Sequence, residues 1–213
     1  MTPAAPAVVV SASPGTPPPQ KGTEYNPNPS SMGNLPKFKE HFDSPHEESD
    51  YYVRHGFDSL NQGKIDEAEK KLKKALKAEP GNFNVHDGMS MLYYESHRFD
   101  NSIECCTKAI KIAKDTDMYE QLCPTTVLVR RGACYLNLKK YDDAIKDFDE
   151  VIRIKPDFAF VYYDRGRAYF GKGDWDKAEA DFNTSLKLDK EQRFKSISED
   201  YLKQIAEKKG KQK

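Results

Sequence analysis

Residues 125–158 carry the sequence TTVLVRRGACYLNLKKYDDAIKDFDEVIRIKPDF, and residues 159–192 continue with AFVYYDRGRAYFGKGDWDKAEADFNTSLKLDKEQ. The second half of the first stretch has small and large apolar residues three and four places apart, at Tyr141, Ala144, Ile145, Phe148, Val151 and Ile152. This spacing predicts an amphipathic helix whose apolar face is broad enough to cover a core. No part of the chain shows sustained two-residue alternation, so the folded body is predicted to be all-α.

The same pattern occurs four times along the chain. The small residue near the start of each second helix recurs at Ala68, Ser102, Ala144 and Ala178, and four places later come Leu72, Cys106, Phe148 and Phe182. The steps between copies are 34, 42 and 34 residues, so the middle step contains an insertion of eight residues around Asp117–Pro124. A small residue also recurs in register in each first helix, at Gly56, Ser90, Gly132 and Gly166.

This pattern resembles the tetratricopeptide repeat, a 34-residue pair of antiparallel helices with small and aromatic residues at fixed places. The resemblance covers residues 49–82, 83–116, 125–158 and 159–192, hereafter repeats one to four. It implies a right-handed superhelical solenoid of antiparallel helix pairs, in which stacked neighbours bury each other's apolar faces. Repeat two departs from the pattern with Ser90, Ser102 and Cys106, and we expect it to be the least well packed.

The first 43 residues differ in composition from the rest of the chain. Ten of the thirteen prolines lie at or before Pro45, and each one fixes its φ angle and removes a backbone donor. Residues 1–43 are therefore predicted to form a disordered, proline-rich arm. Within it, Leu35, Phe38 and Phe42 are spaced like one face of a short helix over residues 35–42. This helix is either a weak stub or a docking segment that packs on the folded body or on a partner.

Two signals bound the helical body. Ser44, Pro45 and Glu47 form a helix start, with a capping side chain, a proline at a place that needs no donor, and an acidic residue for a capping box. At the other end, residues 193–213 are predicted to form a capping helix followed by a basic tail. The apolar stripe of that helix, which should face back onto repeat four, consists of Phe194, Ile197, Tyr201, Leu202 and Ile205.

Composition argues against several classes of protein. The chain carries 34 basic and 34 acidic residues, so a protein that coats nucleic acid is disfavoured. No apolar run reaches the roughly 18 residues of a transmembrane helix. The apolar run near the start, from Ala7 to Val10, is too short for the core of a signal peptide. We therefore expect a cytoplasmic protein with reduced thiols and no membrane association.

Catalytic and metal-binding patterns are absent from the sequence. It lacks the motifs of phosphate-binding loops, dinucleotide-binding folds, serine hydrolases and zinc proteases. The four cysteines, at 105, 106, 123 and 134, lack the paired spacing of a zinc site. Cys106 and Cys134 fall at repeat positions where a thiol acts as a small buried hydrophobe. No catalytic residue, cofactor or metal is predicted, and the chain is not expected to be an enzyme.

The resemblance also implies where a partner would bind. In this family the first helices line a concave groove that binds peptides or helices of other proteins. The residues that repeat phase assigns to this groove are Val53, Phe57, Asn61, Asp87, Met91, Tyr94, Val129, Ala133, Phe160, Tyr163, Arg167 and Phe170. Most are apolar or aromatic, which favours an apolar or amphipathic ligand.

One subclass of the family grips the terminal carboxylates of heat-shock chaperones with Lys, Asn and Arg side chains from three repeats. At the matching positions this chain has Val53, Phe57, Gly88, Thr126 and Arg130, and only the last of these fits. Chaperone tails are therefore disfavoured as ligands.

Two functions remain open at this point. The first is a non-catalytic adaptor that holds an apolar or amphipathic segment of a partner protein in its concave groove. The second is a constitutive structural subunit of a larger multiprotein assembly, with its faces buried by neighbouring proteins.

Overall fold

The computed structural model describes residues 42–116, residue 119 and residues 125–211. The helices within these residues are α1 Pro45–Asn61, α2 Ile65–Ala78, α3 Phe83–Glu95, α4 Phe99–Asp115, α5 Thr125–Asn137, α6 Tyr141–Ile154, α7 Ala159–Lys172, α8 Trp175–Leu188 and α9 Lys195–Gly210. No strand occurs among them, and the predicted all-α solenoid of antiparallel helix pairs is confirmed. The predicted arm lies outside the described residues up to residue 41, and so does most of the insertion before α5.

The first helix begins where the sequence predicts. Ser44 is its N-cap and accepts a hydrogen bond from the backbone N–H of Glu47 at 3.1 Å, and Pro45 occupies the first turn. The Glu47 carboxylate accepts from the N–H of Asp43 at 2.8 Å, one residue earlier than a standard capping box would place it. Just before this start, the Phe42 ring packs 5.2 Å from Tyr51 and 5.8 Å from Tyr52.

Within a repeat, the two helices approach each other at the small residue of the first helix. A Cβ atom added to Gly132 would lie 2.6 Å from the Phe148 ring, so glycine is required for this approach of α5 to α6. Repeat one has the same arrangement, with Gly56 over Leu72. The four residues at this place in the second helices, Leu72, Cys106, Phe148 and Phe182, are fully buried, as their spacing predicts.

Between repeats, consecutive first helices pack directly on each other. Helix α1 contacts α3, α3 contacts α5, and α5 contacts α7. Each second helix packs instead on the first helix of the following repeat, and within the described residues no consecutive second helices pack together in this way. The first helices therefore form the inner side of the stack, which is the side predicted to carry the groove.

Helix α9 closes the stack behind repeat four. Its Tyr201 ring stacks on Phe182 at 4.8 Å, and Ile205 is buried at 1% exposure. Near its end, Lys209 Nζ lies 2.6 Å from a carboxylate oxygen of Asp176 at the start of α8. The predicted stripe needs one correction, because Ile197 is 39% exposed and does not face repeat four. Ser198, one place later, takes the buried position.

Candidate protein-binding groove

The twelve predicted groove residues differ in burial. Asn61 is exposed, and those that are half-buried are Phe57, Asp87, Met91, Tyr94, Val129, Phe160, Arg167 and Phe170. Val53, Ala133 and Tyr163 are buried, with 6%, 8% and 9% exposure. The assignment of these three to an exposed groove surface is therefore corrected, since their side chains belong to the core.

Tyr163 shows why repeat phase alone misplaced a residue. Its ring stacks on Phe194 at 5.3 Å and meets Tyr201 edge-on at 6.4 Å. Both partners belong to the segment that follows repeat four, so α9 covers a side chain that would otherwise face the groove. Whether this position of a repeat is open or covered depends on the side chains of the first helix that follows it.

The half-buried apolar residues Phe57, Met91, Val129, Phe160 and Phe170 form what we call the apolar strip. A Cβ atom at Gly88 would lie 3.4 Å from the tip of the Phe57 ring, which shows that this ring crosses from α1 onto α3. At the other end, the Phe170 ring lies 5.0 Å from that of Tyr201. The members of the strip lie on the first helices α1, α3, α5 and α7, and each is partly open to solvent.

Beside the strip lies an ion pair that joins repeats two and three. Arg130 Nη1 donates to a carboxylate oxygen of Asp87 at 2.6 Å and to Ser90 Oγ at 2.6 Å. Both charged side chains are mostly buried, with 16% and 21% exposure. Because Arg130 is already held by this carboxylate, it is poorly placed to bind a carboxylate of a ligand.

A second ion pair lies in repeat four. Arg167 Nη1 donates to Asp164 at 2.8 Å, and the Asp164 side chain is only 2% exposed. Burial raises the pKa of Asp164, an effect that exceeds the opposing influence of Arg167. Burial also raises the pKa of Tyr94 in repeat two, and the charge of Asp164 adds to this increase. The two ion pairs, Arg130 with Asp87 and Arg167 with Asp164, lie on the first helices α3, α5 and α7, and we call their place the floor of the predicted groove.

The thiols near this floor are buried and unreactive. Cys106 and Cys134 have 0% exposure, and burial raises the pKa of both thiols. Burial raises the pKa of Cys134 to about 12, so this thiol stays protonated at neutral pH. Among the described residues, no group of three His, Cys, Asp or Glu side chains is arranged to hold a metal ion.

Two arginines outside the predicted set of groove residues connect the helices behind the groove. Arg131 donates to both carboxylate oxygens of Asp147, at 2.8 and 2.6 Å, and Arg165 does the same with Asp181, at 2.8 and 2.7 Å. The signal was present in the sequence, because each aspartate follows its arginine by 16 residues and both pairs recur at a step of 34. We call these the repeat ion pairs.

Comparison with known protein families agrees with this architecture. Profiles of the tetratricopeptide repeat match residues 85–116, 126–158 and 159–192. The chain is a tetratricopeptide repeat protein. These three matches fall on α3–α4, α5–α6 and α7–α8, which are the helix pairs whose first members carry both ion pairs of the groove floor.

This tetratricopeptide repeat protein has curated relatives with chaperone-related names. It is 38% identical over 92 residues to heat shock protein STI1 of Saccharomyces cerevisiae, covering 43% of this chain and 14% of that protein. It is 29% identical over 133 residues to Hsc70-interacting protein 1 of Drosophila melanogaster, covering 62% and 32%. The chain therefore spans a third or less of the length of these relatives.

Solved structures share the fold of this tetratricopeptide repeat protein. MamA from Desulfovibrio magneticus superposes with a TM-score of 0.62 at 22% identity, covering 78% of this chain and 93% of that one. The anaphase-promoting complex hetero-tetramer Cut9–Hcn1 gives a TM-score of 0.66 at 18% identity, covering 74% and 29%. Within the residues described here, no helix is both long and apolar enough to cross a membrane.

Proposed function

We propose that this protein is a non-catalytic adaptor whose groove binds an apolar or amphipathic segment of a partner protein. The observation that carries the proposal is the apolar strip, which runs along consecutive first helices and keeps its members partly open. Side chains from several repeats share one surface, so a single partner segment can contact all of them. Burial of such apolar anchors is what usually dominates the affinity of a protein interface.

The relatives support a protein partner. One of them is named for its interaction with Hsc70, and the Cut9–Hcn1 structure is a hetero-tetramer. The ion pair of Arg130 with Asp87 supports the prediction that chaperone tails are not the ligand, because the one fitting cation is occupied. A ligand without charge at the floor avoids breaking this pair, which would leave a mostly buried charge without a partner.

A selection from random peptides tests the proposal and does not require a purified partner. We would pan a phage library of random 12-residue peptides against the full chain and synthesise the enriched peptides with both ends capped. The expected peptides are apolar or amphipathic. Met91→Glu should reduce their binding below detection, because it places a charge within the strip. The matched control is Asn101→Glu, at an exposed residue of α4 in the same repeat, and it should bind normally.

Two results would contradict the proposal. One is a selection that yields no specific peptide, and the other is full binding by a Met91→Glu variant that keeps its helical circular dichroism. The remaining function, a constitutive subunit of an assembly, predicts a different behaviour in cells. There, the chain would co-purify in fixed stoichiometry with the same neighbours whether or not Met91 is replaced.

A further inference from the structure

Two histidines from different helices contact the turn at residues 79–82, which joins repeat one to repeat two. His46 of α1 places its Nδ1 atom 2.8 Å from a carboxylate oxygen of Glu79. His86 of α3 places its Nε2 atom 2.8 Å from the carbonyl oxygen of Pro80. Both acceptors are oxygens, so each imidazole must donate a proton from the nitrogen that faces the turn. The contacts that hold this turn therefore depend on the protonation of two imidazole rings.

His46 needs a charged ring to make both of its contacts. Its Nδ1 faces Glu79, and its Nε2 lies 3.5 Å from a carboxylate oxygen of Asp50. A neutral imidazole has one N–H and can donate to one of these carboxylates, whereas the imidazolium can donate to both. The two carboxylates also share the side-chain amide of Asn82, which donates to Glu79 at 2.9 Å and to Asp50 at 3.1 Å. Loss of the proton from His46 leaves two like charges around this one amide.

The carboxylates that face His46 favour its protonated form. Glu79 in the turn, chiefly through its hydrogen bond, and Asp50 on α1 raise the pKa of His46. Glu47, the neighbouring residue in sequence, has its carboxylate turned to the backbone N–H of Asp43. Because the ordinary pKa of a histidine is about 6.5, the stabilising contact is complete below that pH. It is lost as the pH rises through the higher pKa of the folded protein.

His86 favours the opposite protonation state. Its contact with Pro80 needs a single N–H, which the neutral imidazole has, and the side chain is only 6% exposed. Burial lowers the pKa of His86, and the hydrogen bond to Pro80 offsets this only in part. The charged groups that face it from α4 are Lys108 and Glu104, which pair with each other at 2.7 Å. The neutral ring is therefore stable here above about pH 6.5, and charging it as the pH falls costs stability.

The junction of repeats three and four makes the same contact without an imidazole. There, the hydroxyl of Tyr162 donates to the carbonyl of Pro156 at 3.0 Å, and these two residues occupy the repeat positions of His86 and Pro80. A phenol stays protonated near neutral pH. The chain has no histidine after His97, so the titrating contacts belong to the first junction.

We propose that the turn at residues 79–82 is a proton-sensitive joint, which holds repeats one and two together most firmly near pH 6.5 and loosens on either side of it. This device goes beyond the adaptor function and does not depend on what the groove binds. Helices α1 and α3 each carry a member of the apolar strip, Phe57 and Met91. Proton binding at the joint thus gives the chain a way to alter the N-terminal end of the strip without a ligand.

Proton NMR of the full chain measures the two imidazoles directly. Between about pH 5.5 and about pH 8.5, His46 should titrate above pH 6.5 and His86 below it. Glu79→Gln keeps an oxygen acceptor but removes the charge. It should therefore move the titration of His46 back toward about 6.5 and leave that of His86 unchanged. A titration of His46 at or below about 6.5, or of His86 at or above it, would overturn the proposal.

Hydrogen exchange tests whether these protons control the joint. Protection factors, which already allow for the intrinsic pH dependence of exchange, are compared between α1 and α3 and the helix at the other end of the stack, α9. The amides of α1 and α3 should lose about two- to fivefold protection from pH 6.5 to pH 8, the size of effect expected for exposed ion pairs. They should lose protection again from about pH 6.5 to about pH 5.5, as His86 becomes charged. The amides of α9 should show neither loss.

Three variants assign the two losses. His46→Gln should remove only the loss above about pH 6.5, and His86→Gln, whose amide can donate to the same carbonyl, only the loss below it. The matched control is His97→Asn, in the turn after α3, where the ring contacts Phe99 and the backbone has a positive φ that asparagine tolerates. It should keep both losses.

The proposal is overturned if protection of α1 and α3 in the wild-type chain does not vary with pH. It is also overturned if either loss persists in the histidine variant meant to remove it, or disappears in His97→Asn. Circular dichroism checks that each variant is folded. If one of the Gln variants does not fold, the wild-type titration and the Glu79→Gln variant still test the joint.

Discussion

Repeats three and four hold their helix pairs together differently from repeats one and two. In the C-terminal two repeats, an aromatic ring packs beneath a glycine, and a mostly buried repeat ion pair joins the same two helices. In repeat one, Leu72 takes the place of the ring, and in repeat two Cys106 does. At the position of Asp147 and Asp181, repeat one has Lys71 and repeat two has Cys105.

Repeat two shows what replaces the missing ring and ion pair. Ser102 Oγ donates to the carbonyl of Ser90 at 2.8 Å, which ties α4 to α3 inside the core. Ser90 Oγ in turn accepts from Arg130 of repeat three. Hydrogen bonds of this kind typically contribute about 1 kcal/mol each, less than the burial of a phenylalanine ring. The same kind of helix pair can therefore be stabilised by a buried aromatic ring or by buried hydrogen bonds. We expect the two halves of the stack to differ in stability for this reason.

The largest effect should come from removing the ring of repeat three. Phe148→Ala should lower the free energy of unfolding by about 3–5 kcal/mol, because it leaves a cavity under Gly132. Cys106→Ala, at the same place in repeat two, should cost only about 1 kcal/mol, since little volume is lost. Urea unfolding followed by circular dichroism measures both. Equal losses of unfolding free energy for the two variants would show that the two halves do not differ in this way.

Tyr163 provides the next comparison, between a covered and an open position on the first helices. Tyr163→Ala should cost about 3 kcal/mol, because its ring packs against Phe194 and Tyr201 of the cap. Met91→Ala in repeat two, at a half-buried site, should cost about 1 kcal/mol. Thermal melting of the two variants checks the order. A smaller loss for Tyr163→Ala would mean that α9 does not cover repeat four in solution.

The fold was predictable because it depends on spacing. The step of 34 residues and the small residues at fixed places predict helix pairs, and the buried Phe148, Phe182 and Leu72 follow from that pattern alone. The helix start at Ser44 was predictable for a similar local reason, since a cap depends on neighbours in sequence.

The site was predictable only in part, because exposure depends on the next helix in the stack. Val53, Ala133 and Tyr163 have the right repeat phase for the groove, yet all three are buried, Tyr163 by Phe194 and Tyr201 from the segment after repeat four. For Ile197 the error is the opposite, because apolarity places it on the stripe of α9 that faces repeat four, yet its side chain is 39% exposed. Phase tells which side of a helix a residue occupies, whereas burial also requires knowing which residues the neighbour presents.

The repeat ion pair of repeat three should contribute less than its aromatic ring. Asp147→Asn keeps the size of the side chain but removes the charge that faces Arg131, so we expect a loss of about 2 kcal/mol. A double-mutant cycle with Arg131→Leu isolates the interaction of the two side chains. A coupling energy near zero would show that the attraction between the two side chains only offsets the cost of burying them. The ion pair would then not make repeats three and four more stable than repeats one and two.

The smallest effect should come from placing an aspartate in repeat two at the position that Asp149 occupies in repeat three. Arg165 reaches beyond its own repeat to Asp149 at 2.6 Å, whereas Arg131 reaches the hydroxyl of Thr107 at 3.1 Å, and Thr107 and Asp149 occupy the same repeat position. Thr107→Asp should therefore join repeats two and three with a second ion pair. Because the site is exposed, we expect a gain of about 0.5 kcal/mol and a small rise in melting temperature.

The control for this variant is Thr107→Asn, which has the same shape without the charge and should give no gain. High salt supplies a second check, since at about 1 M the screening length falls to roughly 3 Å and an exposed ion pair loses most of its attraction. A gain that survives in 1 M salt, or that appears equally in Thr107→Asn, would have to come from the helix rather than from Arg131. A gain found only in Thr107→Asp and only at low salt would show that a link of the kind Arg165 makes can be transferred to the junction of repeats two and three.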